Sequence, residues 1–549
     1  MTLMRLPLWL RFYLLLLLAA SFTLFLYFFS QPSSPSLSLK GEVLLMNNSA
    51  QFFRHTLLQD YILEHVLHSR EDSPARAHEP SLLFPDANDR KRYCEQKFGF
   101  SYISHWRETA EIYCDKPQNI DTATTIDNNN KKIDKAEENY SHMICHKYQP
   151  EEGATPRNLC EVRRAVLDFD RIKRLECGCT VGRYKPTFSN ALELSDGAVQ
   201  LECEKKEGWQ FDNFGHNVLY WMEHTSTLLP SGNTSLRVGE NQPSTKPGTW
   251  QTRCHKNNTI LHPVYVLMRY DTTNLFHFQE DLMRAFAAFA TLNISTVDAQ
   301  IMLVDGIVKG PYFEVWQRAF SPRRPLLIPH RDFVKHNEEG EANIYCFEKL
   351  VYHVHGGASP LSRNLNWRTD CDHNPLMKGY RDFLLDYLDL NRIQPLKEDP
   401  ITITVIERRD YENDPYLGTK EVDRKIDNHD EFVQLVREKF AECCVVRNLD
   451  FATMTFREQL EAIRKTDVLF GVHGAALAHV TFLPSSSTLI ELWLPSRYGN
   501  YHFENMAAYY GVHYLRGELF STSIDEPDEL IELFQQAVAR SVQYKQSQK

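Results

Sequence analysis

The chain has 549 residues, 61 Lys and Arg against 72 Asp and Glu, a formal charge of −11 and 42% apolar residues. That balance, with no basic stripe, argues against a nucleic-acid partner. The apolar share is ample for the cores of two or more domains. From the amino terminus, Phe12–Phe29 carries no charge and follows Arg5 and Arg11. A bilayer core takes ~20 apolar residues as a helix, so this run reads as a transmembrane anchor. Arginines before it and none just after it leave the amino end cytosolic and the remainder lumenal. A cleaved signal peptide ending near Ala19-Ala20 is the competing reading. Gln31–Ser38 reads as a flexible stem.

Two further features fit a lumenal history. Twelve cysteines are scattered from Cys94 to Cys444. Cys177-Gly178-Cys179 and Cys443-Cys444 have the wrong spacing for a tetrahedral metal site, so disulfides are expected, with Cys443 and Cys444 alternatively buried strand residues. N-glycan triplets begin at Asn47, Asn139, Asn233, Asn257 and Asn293; Asn293, beside an apolar helix, is expected to be buried. Asp121–Asn139 is polar and reads as a disordered surface insertion, and Ser226–Gly248 as a long loop. The tail Gln546–Lys549 lacks a KDEL-like signal, which favours the Golgi over the endoplasmic reticulum.

Asp168-Phe169-Asp170 follows an apolar run. Paired carboxylates there can hold a divalent cation, or simply form the outward face of a strand. Val264–Met268 is a buried strand, followed by a helix from about Asn274 to Leu292 and a strand at Gln300–Val304, a β-α-β unit. On that helix His277, Glu280, Asp281 and Arg284 share a face at i, i+3, i+4 and i+7. The face is either solvated and salt-bridged or part of a site.

After Pro395 strands and helices alternate: Ile401–Ile406, a helix at His429–Glu442, Cys443–Val446, a helix capped by Thr455 and Glu458, then Val468–Val472 and Thr488–Leu494. Asn428 with Glu431 resembles a capping box. This order implies a doubly wound parallel sheet. Ile524–Tyr544 is expected to be helical and to pack back across the first domain. Between the last two strands, His473-Gly474-Ala475 ends a strand and opens a short helix. Unpaired amides and the positive helix end make that turn a seat for a phosphate. A tight turn with a capping histidine is the alternative.

Thr466–Pro495, with its VHGAA turn, FLP and closing strand, resembles the signature of family 61 glycosyltransferases. Arg424, Ile426 and Asn428 match a second block, Asn274, His277 and Asp281 a third, and Tyr509–Tyr514 a fourth; Ala476 departs from a glycine often seen in the motif. The resemblance covers about Val264–Gly517. It implies an α/β protein of two Rossmann-like domains facing across a cleft (GT-B-type), after the transmembrane helix. Residues 1–30 would be tail and anchor, 31–90 stem, 91–395 the acceptor-side domain with insertions, and 396–549 the nucleotide-sugar side. It also implies an inverting transfer, with N-acetylglucosamine passing from UDP-GlcNAc to a hydroxyl of a secretory protein or glycan; xylose is the alternative sugar. Arg424, His473, Gly474, Ala475, Glu491 and Asn428 would bind the donor, with Glu491 on the ribose. Asp281, slightly ahead of His277, would be the general base, and Asn274 a further cleft residue. No cofactor is expected, a divalent cation at Asp168 and Asp170 being the alternative. A non-catalytic lumenal binding protein on the same fold is the last.

Overall fold

The computed structural model describes residues 57–68, 86–116, 124–126, 132–134, 140–148, 157–174, 192–206, 225–229, 250–269, 271–304, 310–333, 343–352, 359–362, 367–372, 374–414, 418–497 and 499–547. The expected anchor and the triplets at Asn47, Asn139 and Asn233 lie outside them. Among the described residues no helix is long and apolar enough to cross a membrane. Leu57–Lys549 form one unit.

Its first sheet has eight strands: β1 (Ala110–Asp115), β2 (His142–Tyr148), β3 (Arg157–Asp168), β4 (Val199–Lys205), β5 (Thr225–Leu229), β6 (Thr259–Leu267), β7 (Gln300–Leu303) and β8 (Ile344–Tyr352). Their spatial order is β7-β6-β8-β3-β2-β1-β4-β5. β6 is parallel to β7 and β8, with Val264 opposite Gln300 and Leu350. The β-α-β unit around the helix Leu275–Leu292 is therefore as expected. From β8 to β3, β2, β1 and β4 every pairing is antiparallel. The sheet is mixed, and only its β6–β8 edge has Rossmann-like character. Part of the polar stretch expected to lack structure is a hairpin, Thr124–Ile126 on Lys132–Asp134. The expected loop from Ser226 begins inside β5.

The second sheet holds β9 (Ile401–Ile406), β10 (Cys444–Leu449), β11 (Val468–Val472), β12 (Thr488–Trp493) and β13 (His513–Glu518) in the order β10-β9-β11-β12-β13. All its pairings are parallel. Helices are labelled here as α1 (Leu58–His68), α2 (Ala87–Phe98), α3 (Phe100–Glu108), α4 (Leu275–Leu292), α5 (Pro375–Tyr387), α6 (His429–Lys439), α7 (Phe456–Ile463), α8 (His502–Tyr510) and α9 (Asp528–Ser547). Side chains alternate across a strand, and both faces of β11 are buried. Val468 and Phe470 join Phe432 of α6 and Phe534 of α9 on one side. Leu469 joins Leu460 of α7, Leu477 and Tyr509 of α8 on the other. This is the doubly wound arrangement. α9 lies on this sheet's own face, the Phe534 ring 5.1 Å from Phe470 and 6.1 Å from Phe432. It does not cross back over the first domain as expected.

One apolar cluster runs through both halves, from Phe286 and Tyr380 to Leu460, Leu477 and Tyr509. α4 is its axis, buried at every position except His277 and Leu292. Gln279 in its middle donates to the Ala478 carbonyl (3.0 Å) and accepts from the Thr481 hydroxyl (2.7 Å). A buried amide satisfied at both ends fixes the register of α4 against the second sheet. The two halves are thus in contact along α4, and no boundary at residue 395 interrupts this core.

Ten described cysteines form the disulfides Cys94–Cys371, Cys114–Cys203, Cys145–Cys160, Cys254–Cys346 and Cys443–Cys444. Cys443 and Cys444 pair with each other instead of filling a strand core. Such a set is stable in an oxidising compartment. Asn257 and Asn293 are exposed. Asn293, expected to be buried, instead ends α4 in the left-handed region (φ 53°), which asparagine tolerates better than most residues.

Candidate active site

In chain order the second sheet runs 2-1-3-4-5, so connections leave β9 and β11 towards opposite faces. A crevice opens beyond their carboxyl ends. A pocket of about 50 Å³ lies there, lined among others by Ile406, Arg408, Arg409, Asp450, Val472 and Ala476.

His473 follows the last residue of β11, its backbone N–H bonded to the Leu492 carbonyl (3.0 Å). Its Nδ1 lies 2.5 Å from Oε1 of Glu491. The Tyr514 hydroxyl donates to Oε2 of the same carboxylate (2.7 Å). Glu491 is fully buried on β12, where parallel register sets Gly471 on one side of it and Arg516 on the other. Burial, and then the Glu491 charge, push the Tyr514 phenol well above its ordinary pKa, so it remains a donor. Both Glu491 oxygens are therefore engaged within the protein. As placed, the carboxylate orients His473, which keeps 7% side-chain exposure.

Gly474 comes next, in extended conformation (φ 178°, ψ 170°). A Cβ there would stand 2.5 Å from Nη1 of Arg408. Glycine lets that guanidinium lie against the turn, and a side chain there would displace it. Ala475–Phe482 then forms a 3-10 helix whose first amides have no partner within the helix. Arg408, just past β9, donates through Nε to the Asp423 carbonyl (3.0 Å). Arg409 pairs with Asp450 (Nε to Oδ2, 2.7 Å). Neither arginine figured in the sequence reading. The available signal was two consecutive arginines at the carboxyl end of a β-branched strand.

The expected guanidinium, Arg424, adjoins Asp423 and is half-buried, with φ 65°. That conformation is uncommon outside glycine and often marks a functional loop. Arg408 is the guanidinium nearest a Cβ built at Gly474. Asn428 forms no side-chain cap on α6. Its amide donates to the Ile524 carbonyl and accepts from the Ile524 N–H, each at 2.9 Å. It pins the chain before α9, so the capping box expected with Glu431 is not formed. The box at Thr455 and Glu458 is formed.

α4 brings the other predicted residues. Asn274 is its amino-terminal cap, accepting from the Phe276 and His277 amides; it serves the helix first. His277 sets Nδ1 2.7 Å from Glu280 Oε2, with 29% and 10% side-chain exposure respectively. Asp281 is fully buried and ion-paired with Arg284, itself 4% exposed. The four polar residues thus share a face, as the spacing requires, but Glu280, Asp281 and Arg284 are interior. His277 alone among them reaches solvent appreciably. α4 meets the second sheet's site through Phe276, whose ring is 6.4 Å from Phe503, which in turn is 5.0 Å from His473.

Asp168 and Asp170 stand apart from all this. Asp168 accepts from the Asp170 amide and from Arg171 Nε, and Asp170 accepts from the Asn343 amide (2.9 Å). The two carboxylates build a turn at the end of β3. Among the described residues no group of three or more His, Cys, Asp or Glu is arranged to hold a metal.

Residues 276–490 match the family model described as Glycosyltransferase 61. The span takes in His277, Asp281, Arg408, Arg424 and His473 and stops just before Glu491. Beta-1,2-xylosyltransferase RCN11 of Oryza sativa subsp. japonica is 24% identical over 280 residues, 47% of this chain and 50% of that protein. The EGF domain-specific O-linked N-acetylglucosamine transferase of Drosophila melanogaster is 25% identical over 315 residues, 55% and 52% of the two chains. Protein O-linked-mannose beta-1,4-N-acetylglucosaminyltransferase 2 of Tetraodon nigroviridis is 23% identical over 273 residues, 48% and 44%. The chain spans about half the length of the curated relatives it matches.

Proposed function

We propose, from the premise that residues 276–490 are a family 61 glycosyltransferase domain, that the protein is an inverting glycosyltransferase of the secretory pathway. It moves a sugar, N-acetylglucosamine from UDP-GlcNAc, to a hydroxyl of a protein or glycan. The observation that carries this reading is the turn at His473 and Gly474, where a guanidinium, a histidine and helix-start amides converge at the switch point of a parallel sheet.

A nucleotide sugar leaves as a diphosphate, so the site must offset negative charge growing on the leaving oxygen. Arg408, His473 and the amides of Gly474 and Ala475 take that role, with Arg424 as a second guanidinium able to grip phosphate oxygens bidentately. Glu491 and Tyr514 hold the imidazole in place. Across the site, His277, oriented by Glu280, takes the acceptor hydroxyl's proton as that oxygen attacks the anomeric carbon and the bond to the diphosphate breaks. Asp281 is reassigned from base to structural partner of Arg284, because a buried carboxylate engaged by a guanidinium is a poor proton sink. The disulfides fit the Golgi lumen, with Phe12–Phe29 as the single-pass anchor.

Transfer of xylose is the second reading, favoured by the rice relative's name. The test incubates the full-length protein in detergent with a panel of nucleotide sugars, with and without chelator, and scores sugar release. Release from UDP-GlcNAc, unaffected by chelator, is expected. Release from UDP-xylose alone selects the second reading. Loss with chelator reinstates a cation, and no release from any donor sinks the transferase reading.

A further inference from the structure

We infer that His502 is a third histidine of the reaction centre, whose Nε2 accepts a hydrogen bond from a hydroxyl or N–H of the transferred sugar. This rests on the transferase reading and goes beyond it by naming what tells a sugar nucleotide from a bare nucleotide.

His502 opens α8, with only 9% of its surface exposed. Its ring stands edge-on to Phe276 (3.9 Å between centroids, 90°) and 5.4 Å from Phe503, the ring that also packs on His473. It is thus wedged between the start of α4 and the His473 turn, and both His473 and His277 act on it electrostatically. One ring nitrogen is bonded to the backbone of Leu361. The other, Nε2, is buried with no hydrogen-bond partner among the described residues.

A buried polar atom left unmet is destabilising, and native proteins retain such atoms mainly where function needs them. Protonation does not relieve it here. Burial first, then the neighbouring histidines, depress the His502 pKa to about 3. The ring is neutral, its hydrogen sits on the nitrogen facing Leu361, and Nε2 presents a lone pair. A lone pair has no use for a phosphate oxygen. It suits a group carrying hydrogen, which a diphosphate lacks. The ring's place between His277 and His473, where transfer occurs, assigns that group to the transferred sugar and not to the ribose or base.

The variant is His502→Phe, which keeps a planar ring and removes both nitrogens. Thermal melting is followed without ligand, with UDP and with UDP-GlcNAc, and UDP-GlcNAc hydrolysis is measured without acceptor. The variant is expected to melt somewhat below wild type, because it also removes the ring's bond with the Leu361 backbone, and to keep the UDP-induced shift. It should lose the further shift given by the sugar, with kcat/KM for hydrolysis down about tenfold, the worth of one neutral hydrogen bond. His502→Gln, which can offer an acceptor again, should recover part of that loss. An unchanged sugar-dependent shift would remove the contact, and loss of the UDP-induced shift together with the sugar-dependent one would make His502 structural. Loss of transfer with donor-only hydrolysis intact would move the contact to the acceptor and overturn the assignment. Wild type that releases sugar from no donor would defeat the transferase reading itself, independently of the variant.

Discussion

Replacing Asp281 by alanine is expected to remove ~3–5 kcal/mol of stability, the usual consequence of stripping one partner from a buried ion pair. Arg284 would be left charged inside α4, at 4% side-chain exposure, and α4 is the axis of the core that runs through both halves. The expected result in urea unfolding is a large drop in midpoint with an unchanged slope. Replacing the pair together, Asp281→Leu with Arg284→Met, should restore most of the loss, because well-packed apolar groups of similar volume substitute for buried ions at little cost. The double variant should also turn over donor. If Asp281→Ala instead unfolds like wild type while turnover collapses, the aspartate is the base and the assignment to His277 is wrong.

The second large effect concerns catalysis. His473→Ala should lower kcat by ~10²–10³-fold, the range found when one preorganised donor to a developing oxyanion is removed. Glu491→Gln should fall between that variant and wild type. It keeps the shape of the side chain and a bond to the ring but makes that bond neutral, and charge-assisted bonds are about twice as strong as neutral ones. Steady-state kinetics with varied donor decide it. Glu491→Gln matching wild type would show that the buried carboxylate does not act through His473.

The second sheet was legible because its three central strands are buried on both faces. Ile401–Ile406, Val468–Val472 and Thr488–Trp493 are apolar runs that solvent-facing strands would not tolerate, and Thr455 with Glu458 marked a helix start from four residues. The first sheet was legible only at β6–β8. Its antiparallel strands take their register from partners far away in sequence, as when β8 pairs Cys346 with Val166 of β3.

The site divides in the same way. His473 and Gly474 were visible because a strand end beside a small-residue turn is a local pattern. That Arg408 lies against Gly474 depends on how the chain after β9 folds back onto β11, which local spacing does not encode. Polar residues at i, i+3, i+4 and i+7 look alike on a solvated face and in an interior ion pair. The packing of α4 against the second sheet decided between them at Asp281, and the same helix turned Asn274 into a cap.

The central claim is that a diphosphate docks where His473 and Gly474 turn beneath Arg408. Amide hydrogen exchange of the full-length protein, with and without UDP, tests it without requiring turnover. Slower exchange over residues 472–478 and 406–411 is the predicted result. Protection that leaves those two segments unchanged and falls elsewhere, for example around Asp168 to Arg171, would contradict the account.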